Sequence, residues 1–174
     1  MDHPLRRAKR KLDDETAFAV LRRCTWGFLS LVGPDGDPYG VPINHVLLEE
    51  GGRKRLLFHC AREGRKIDCL KHRPRAFFVA VENPETLPDK FSTAYASAMV
   101  SGPVEIVDDP DEKRALLTAF VRGLAPAFQE RGRKHIEHRL RDCLVLTLEI
   151  EHVCGKGRKE EEPYALAHLG FAVS

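Results

Sequence analysis

Apolar residues change period several times along the chain. Over residues 14–23 they recur at helical spacing, with Phe18 and Leu21 facing inward and Asp13 or Asp14 placed to cap, which predicts a helix ending near Arg23. The run 26–32 reads as a strand, and Pro34-Asp35-Gly36-Asp37-Pro38 is a turn signal, so the next run, 39–48, is predicted to return antiparallel to it. Pro42 within that second run cannot donate to a ladder, which implies an edge position or a bulge. Residues 56–59 follow the turn Glu50-Gly51-Gly52 and are too few and too apolar for an independent helix, so they read as a buried strand. The period then changes. Glu63, Ile67 and Leu70 fall at helical spacing, and Pro74 closes the segment. A further strand covers 75–82, a loop without periodicity covers 83–92 with Pro84 and Pro88, and a long strand covers 93–108 with a bend expected at Gly102-Pro103.

Asp109-Pro110-Asp111-Glu112 has the parts of a helix start: an Asp cap, Pro at the first position and Glu at the third. Leu116, Phe120 and Leu124, joined by Leu117 and Val121, form a broad apolar stripe that ends near Gly123 and Pro126. Residues 127–141 predict a second, charge-rich helix, and 144–153 alternates as a last strand. The helical segment 110–141 lies between strands, so it is an insertion in one domain. No Gly-x-Gly-x-x-Gly follows a strand and no crossover helices space the strands, which excludes a dinucleotide-binding doubly wound fold.

The length of 174 residues suits one domain with a substantial core. With 43% hydrophobic and 31% charged residues the composition is that of a soluble globular protein. A net charge of +2 argues against a dedicated nucleic-acid binder. No apolar run approaches the ~18 residues of a membrane span and no signal peptide precedes the first charged segment, so no membrane partner and a cytoplasmic location are the expectation. The five cysteines are odd in number and form no Cys-x-x-Cys pair, as expected of reduced thiols. The basic run Arg6-Arg7-Ala8-Lys9-Arg10-Lys11 reads as a solvated arm at the chain end, with a nucleic-acid or membrane-surface role as the lesser alternative.

Candidate chemistry concentrates where the strand ending at His59 passes into the next helix. Arg62, Arg65 and Lys66 surround its first turn, where unpaired N–H groups and a partial positive charge suit a phosphate, and Gly64 permits close backbone approach. On spacing alone, the same cations also fit the solvated face of an ordinary surface helix. His135 and His138, three apart on a helix, have no carboxylate or cysteine partner at ligand spacing and read as a solvated face, so no metal is expected.

The pattern Phe58-His59-x-Ala61-x-x-Gly64-x-Lys66-x-x-x-Leu70, then Pro74 and the strand Arg75-Ala76-Phe77-Phe78-Val79, resembles the signature of FMN-binding split-barrel proteins. Gly36-x-Pro38-x-Gly40-Val41-Pro42-Ile43-Asn44 upstream and Ser97-Ala98-Met99-Val100-Ser101-Gly102-Pro103 downstream extend the resemblance over roughly residues 15–156. The branch it most resembles is the Nim-type nitroimidazole-resistance group of the pyridoxamine 5'-phosphate oxidase-like superfamily. The resemblance implies a mainly β, α+β fold, an antiparallel split β-barrel of about six strands with peripheral helices. It also implies a homodimer with flavin sites at the interface. By the same resemblance Pro42, Ile43 and Asn44 contact the flavin ring, Lys66 holds the phosphate with Arg62 and Arg65 in support, and Phe58, Cys60, Ala61 and Gly64 complete the cofactor signature. The resemblance further implies that the segment holding Ser97 completes the site from the partner chain. His59 matches the family's active-site histidine. Asn44 also reads as a polar residue satisfied by a turn, and His59 as a core histidine with its hydrogen bond made.

The implied activity is an FMN-dependent oxidoreductase that reduces a nitroaromatic or similar small acceptor with NADH or NADPH. The alternative is a non-catalytic split-barrel protein that binds FMN, haem or another flat cofactor. Pyridoxamine phosphate oxidase itself fits less well, because the tail lacks that subfamily's basic residues. The organisation expected is a basic arm over 1–12, the split-barrel domain over 13–156 and a tail over 157–174.

Overall fold

The side chain of Asp13 accepts a hydrogen bond from the Thr16 amide at 2.7 Å and caps α1 (Asp14–Arg23), whose Ala17, Phe18, Val20 and Leu21 are buried. In this computed structural model, which describes residues 5–158, α1 is preceded by the two-residue strand β1 (Lys11–Leu12). The hairpin of β2 (Trp26–Val32) and β3 (Pro38–Asn44) follows, turning at Gly36 with its positive φ of 85°. Next come β4 (Val46–Glu50), β5 (Arg53–Ala61), α2 (Arg65–His72), β6 (Arg75–Leu87) and β7 (Ser92–Val107). Two helices, α3 (Pro110–Leu124) and α4 (Gln129–Arg139), separate β7 from β8 (Cys143–Glu149) and β9 (His152–Gly157). Asp109 caps α3 by accepting from the amides of Asp111 and Glu112 at 3.1 and 2.9 Å.

The nine strands form one unclosed antiparallel sheet in the order β3-β2-β6-β7-β8-β5-β4, with β9 between β7 and β1. β7 keeps β6 along one edge and gives its other edge to two strands in turn, β9 over 96–101 and β8 over 104–107. The change of partner falls at Gly102. A side chain there would place its Cβ 1.8 Å from the Glu149 carbonyl oxygen, so only glycine lets the strands pass this closely. At the break between β8 and β9, the Ile150 amide donates to Lys54 O on one side and the Glu151 amide to Ser101 O on the other.

Three elements differ from the sequence reading, and two of these differences, each dividing one run into two strands, together with the short β1 turn about six strands into nine. The run 39–48 is divided by His45, which is buried and hydrogen-bonded through Nε2 to Leu21 O at 3.0 Å, so β4 leaves β3 and pairs with β5. The run 144–153 is divided into β8 and β9. The segment 83–92 is not a loop: β6 and β7 remain paired to Leu87 and Ser92, past an irregularity at Asn83 (φ 39°) that interrupts the alternation.

Two hydrophobic clusters explain the unbroken apolar run in β5. Leu56 and Phe58 face the barrel interior with Leu29, Phe78, Val100 and Leu146. Leu57 faces the other way, toward Leu116, Leu117 and Phe120 of α3 and Ile136 of α4. A strand covered on both faces has no polar side to show.

Candidate functional site

β5 outruns its neighbour. It pairs with β8 as far as Ala61↔Cys143 but with β4 only to Leu57↔Val46, so among the described residues the edge of 58–61 away from β8 has no strand partner. Three residues later Gly64 takes φ 114° and ψ 167°, a conformation open essentially to glycine alone, and becomes the N-cap of α2. No atom lies within 4 Å of where a Cβ would stand, so the demand on Gly64 is conformational and not steric. The Gly64 carbonyl accepts from the amides of Ile67 and Asp68, and the amides of Arg65 and Lys66 lack partners among the described residues. Ile67, Cys69 and Leu70 are buried and fix the direction of the helix.

The three cations predicted to converge here are held apart. Arg62 donates two hydrogen bonds to Asp108, at 2.7 and 2.5 Å. Asp108 also accepts from the buried ammonium of Lys113, and hydrogen bonds from Arg62 and Lys113 keep its carboxyl well below the usual range. Arg65 lies 3.5 Å from Asp35 and over the Tyr39 ring, which ties α2 to the β2–β3 turn. Lys66, half-buried, has no ion pair among the described residues, and its charge disfavours protonation of His59. Of the three, Lys66 alone is uncommitted to a carboxylate among the described residues.

β3 is an edge strand and not a bulged one: its ladder with β2 is unbroken from Asn44↔Trp26 through Pro42↔Phe28 to Pro38↔Val32. Pro42 and Asn44 are exposed, and Ile43 packs against the core. The Asn44 side chain donates to Thr25 O at 3.0 Å, the local satisfaction that its sequence context allowed. Ser97 is buried mid-sheet and donates to Lys156 O at 2.9 Å. Phe58 is wholly buried with its ring 5.3 Å from that of Phe78, so its side chain is a core group and leaves only its main chain for any contact with a ligand. Burial raises the pKa of the Cys60 thiol, which is therefore neutral, and Ala61 is exposed.

His59 points away from the barrel interior, its ring edge-on to Phe120 at 4.9 Å. It opens into a cleft of about 500 Å³ between the β5–β8 surface and the α3–α4 hairpin, lined by Leu117, Val121, Leu124, Ile136 and the polar His135 and Arg139. No hydrogen bond to its ring joins it to another described residue, so it is not a satisfied core histidine. His59 as a whole is exposed, yet the cleft walls desolvate its ring, and this, with the neighbouring charges of His135 and Lys66, lowers its pKa and favours the neutral imidazole. Sequence reasoning missed this cleft. The apolar stripe of α3 was legible, but nothing local says that it covers β5 or that His135 of α4 faces His59. Among the described residues no three His, Cys, Asp or Glu side chains converge as a metal site.

Residues 13–157 match the family model described as pyridoxamine 5'-phosphate oxidase. A search of curated protein sequences found no significant match. Among solved structures, one similar chain is a Bacteroides thetaiotaomicron protein described as a 5-nitroimidazole antibiotic resistance protein. It is 22% identical over 84% of this chain and 85% of its own, with a TM-score of 0.65. The flavocytochrome Anf3 of Azotobacter vinelandii is 24% identical over 95% of this chain and 78% of its own, at a TM-score of 0.72. An FAD- and haem-binding protein of Mycobacterium smegmatis is 20% identical over 93% and 81%, also at 0.72. At these identities the likeness is one of fold.

Proposed function

The chain belongs to the pyridoxamine 5'-phosphate oxidase family, and we propose that within it this protein is an oxidoreductase that binds FMN and reduces a nitroaromatic or similar small acceptor with NADH or NADPH. One observation carries the reading: among the described residues the amides of Arg65 and Lys66 behind Gly64 and the Lys66 ammonium have no partner, and they lie beside two strand edges without a strand partner, an arrangement that would cradle a phosphate. Lys66 and those amides would hold the phosphate, while the β3 edge at Pro42, Ile43 and Asn44 and the 58–61 edge of β5 flank the ring. A bound flavin supplies the electron-transfer chemistry, and the protein supplies binding, orientation and exclusion of water. His59, neutral at pH 7, accepts a hydrogen bond or a proton at a ring nitrogen; its lowered pKa argues against a standing positive charge that would anchor an anionic substrate.

The partner in this reading is a second copy of the chain. Trp26 (53% exposed), Phe28 (46%) and Val81 (42%) leave an apolar patch on the outer face of β2 and β6, continuous with Pro42 opposite Phe28. Such a face, lying against the edge proposed for the flavin ring, fits a homodimer with its sites at the interface. Five free cysteines fit a reducing cytoplasm.

A second reading is favoured by the cleft itself. An apolar slot with His59 and His135 in its lining suits a flat haem held through a neutral imidazole, and two similar folds belong to a flavocytochrome and an FAD- and haem-binding protein.

The visible spectrum of the purified protein, before and after FMN is added and the excess removed, tests both. A flavin spectrum lost in Lys66→Ala and kept in His59→Ala is expected, with turnover in His59→Ala down by about 10²-fold or more. A protein that retains no FMN overturns the flavin reading, and a haem band abolished by His59→Ala establishes the second.

A further inference from the structure

The basic run 6–11 is not a free arm. Residues 8–10 form a single helical turn, and β1 then pairs with β9 through Lys11↔Lys156 and Leu12↔Gly155. Leu12 is buried to 1% exposure in a space that exists because β9 carries glycine: a Cβ on Gly155 would stand 2.7 Å from that of Leu12. A buried leucine therefore pins the cations before it to one place.

That place is a concavity of about 340 Å³ lined by Arg6, Arg7, Arg10 and Lys156. None of the four has an ion pair or a side-chain hydrogen bond among the described residues, and Lys11 stands directly opposite Lys156, an unfavourable pairing of like charges. Two residues beyond Lys156 in sequence, Nη1 of Arg158 is buried without a hydrogen-bond partner among the described residues. Composition does not force this arrangement, since 26 acidic residues accompany 28 basic ones. Several arginines elsewhere are paired, Arg22 with Glu49, Arg23 with Glu82, Arg62 with Asp108 and Arg114 with Glu137, and those without an ion pair among the described residues, such as Arg53 and Arg122, do not line this concavity.

We propose that this pocket binds the phosphate groups of a small phosphorylated molecule, at a site separate from the N-terminus of α2. Guanidinium forks match phosphate oxygens in pairs, and a diphosphate satisfies several converging cations at once. The concave shape favours a small polyanion over a nucleic-acid backbone, which needs an extended basic strip. The two sites lie toward opposite ends of the sheet. Lys156 pairs with Ser97, whose partner Val81 lies toward the Trp26 end of β2, whereas Arg65 reaches Asp35 beyond the Val32 end. Six residues of strand, about 20 Å, separate those ends.

Calorimetric titration of the full chain with inorganic pyrophosphate, in a Lys66→Ala background that removes the α2 cradle, tests the proposal. One saturable site per chain is expected, weakened at least tenfold in Arg7→Ala/Arg10→Ala, similarly weakened in Lys156→Gln, and partly restored in Arg7→Lys/Arg10→Lys. Circular dichroism confirms that each variant is folded. Loss of all pyrophosphate binding in Lys66→Ala alone, or unchanged binding in the folded arginine variants, overturns it. Binding to duplex DNA or to anionic phospholipid vesicles without saturable pyrophosphate binding also overturns it.

Discussion

His45 shows how one residue sets a pH limit on the fold. Its Nε2 is occupied by the Leu21 carbonyl, its Nδ1 is buried without a partner, and its ring meets Phe78 edge-on at 4.7 Å. Burial pushes its pKa down from 6.5 to about 4. The unfolded chain therefore takes up the proton first, and stability falls as the pH drops from 6.5, the loss being complete near pH 4 at roughly 3 kcal/mol. Glu49, held down to about 2 by its hydrogen bonds to Arg22 and Lys54, acts in a lower window and with the ordinary carboxylate sign: its contribution is present above pH 4.5 and lost toward pH 2. Urea unfolding at half-unit pH steps is expected to show the first decline in the wild type and a clearly smaller one in His45→Phe, the remainder coming from His59, whose pKa is lowered in the same direction. At this scale residue types were legible and partnerships were not. Gly64 announces its backbone, and Lys66 its charge. That Arg62 is spent on Asp108 depends on a carboxylate 46 residues away, which no local pattern reveals.

At the scale of elements, starts and caps were the legible part, because they are chosen by side chains within a few residues. Asp13 and Asp109 cap α1 and α3 as their spacing indicated. Asp109→Ala leaves the amides of Asp111 and Glu112 without their acceptor and is expected to lower stability by about 1 kcal/mol, read as a shift in urea midpoint at unchanged slope. Because α3 carries Phe120 onto His59, fraying at its start would also be felt in the cleft. Strand breaks were not legible. His45 and the pair Ile150 and Glu151 interrupt runs whose hydrophobicity continues, and what interrupts them is a contact with α1 in one case and a change of sheet neighbour in the other. Both are decided by tertiary packing that local periodicity does not register.

For the whole molecule, the open sheet leaves one face of β2 and β6 without cover among the described residues. If a second copy covers it, Trp26→Glu/Phe28→Glu is expected to shift a dimer to monomer in sedimentation velocity and to weaken FMN retention with it. A wild-type protein that sediments as a monomer at every concentration removes the dimer from the picture. Among the described residues no helix is long and apolar enough to cross a membrane. The split-barrel class was legible from the joint order of motifs, whereas the sharing of β7 between two strands was not, since it is written in a close approach at Gly102 and not in any run of residues.

That sharing of β7 has a temporal consequence. Synthesis is vectorial, and when β7 leaves the ribosome its neighbour β6 is ready while the strands that occupy its other edge, 143–149 and 152–157, are still untranslated. The pairing of residues 11–12 with 155–156 waits longer still, joining chain segments more than 140 positions apart. A nascent chain stalled before residue 143 should therefore hold a hairpin sheet with one bare edge and an uncovered interior, a form suited to capture by a chaperone and readily cut by protease. Delivery of β8 and β9 gives that bare edge its partners and lets the sheet be completed.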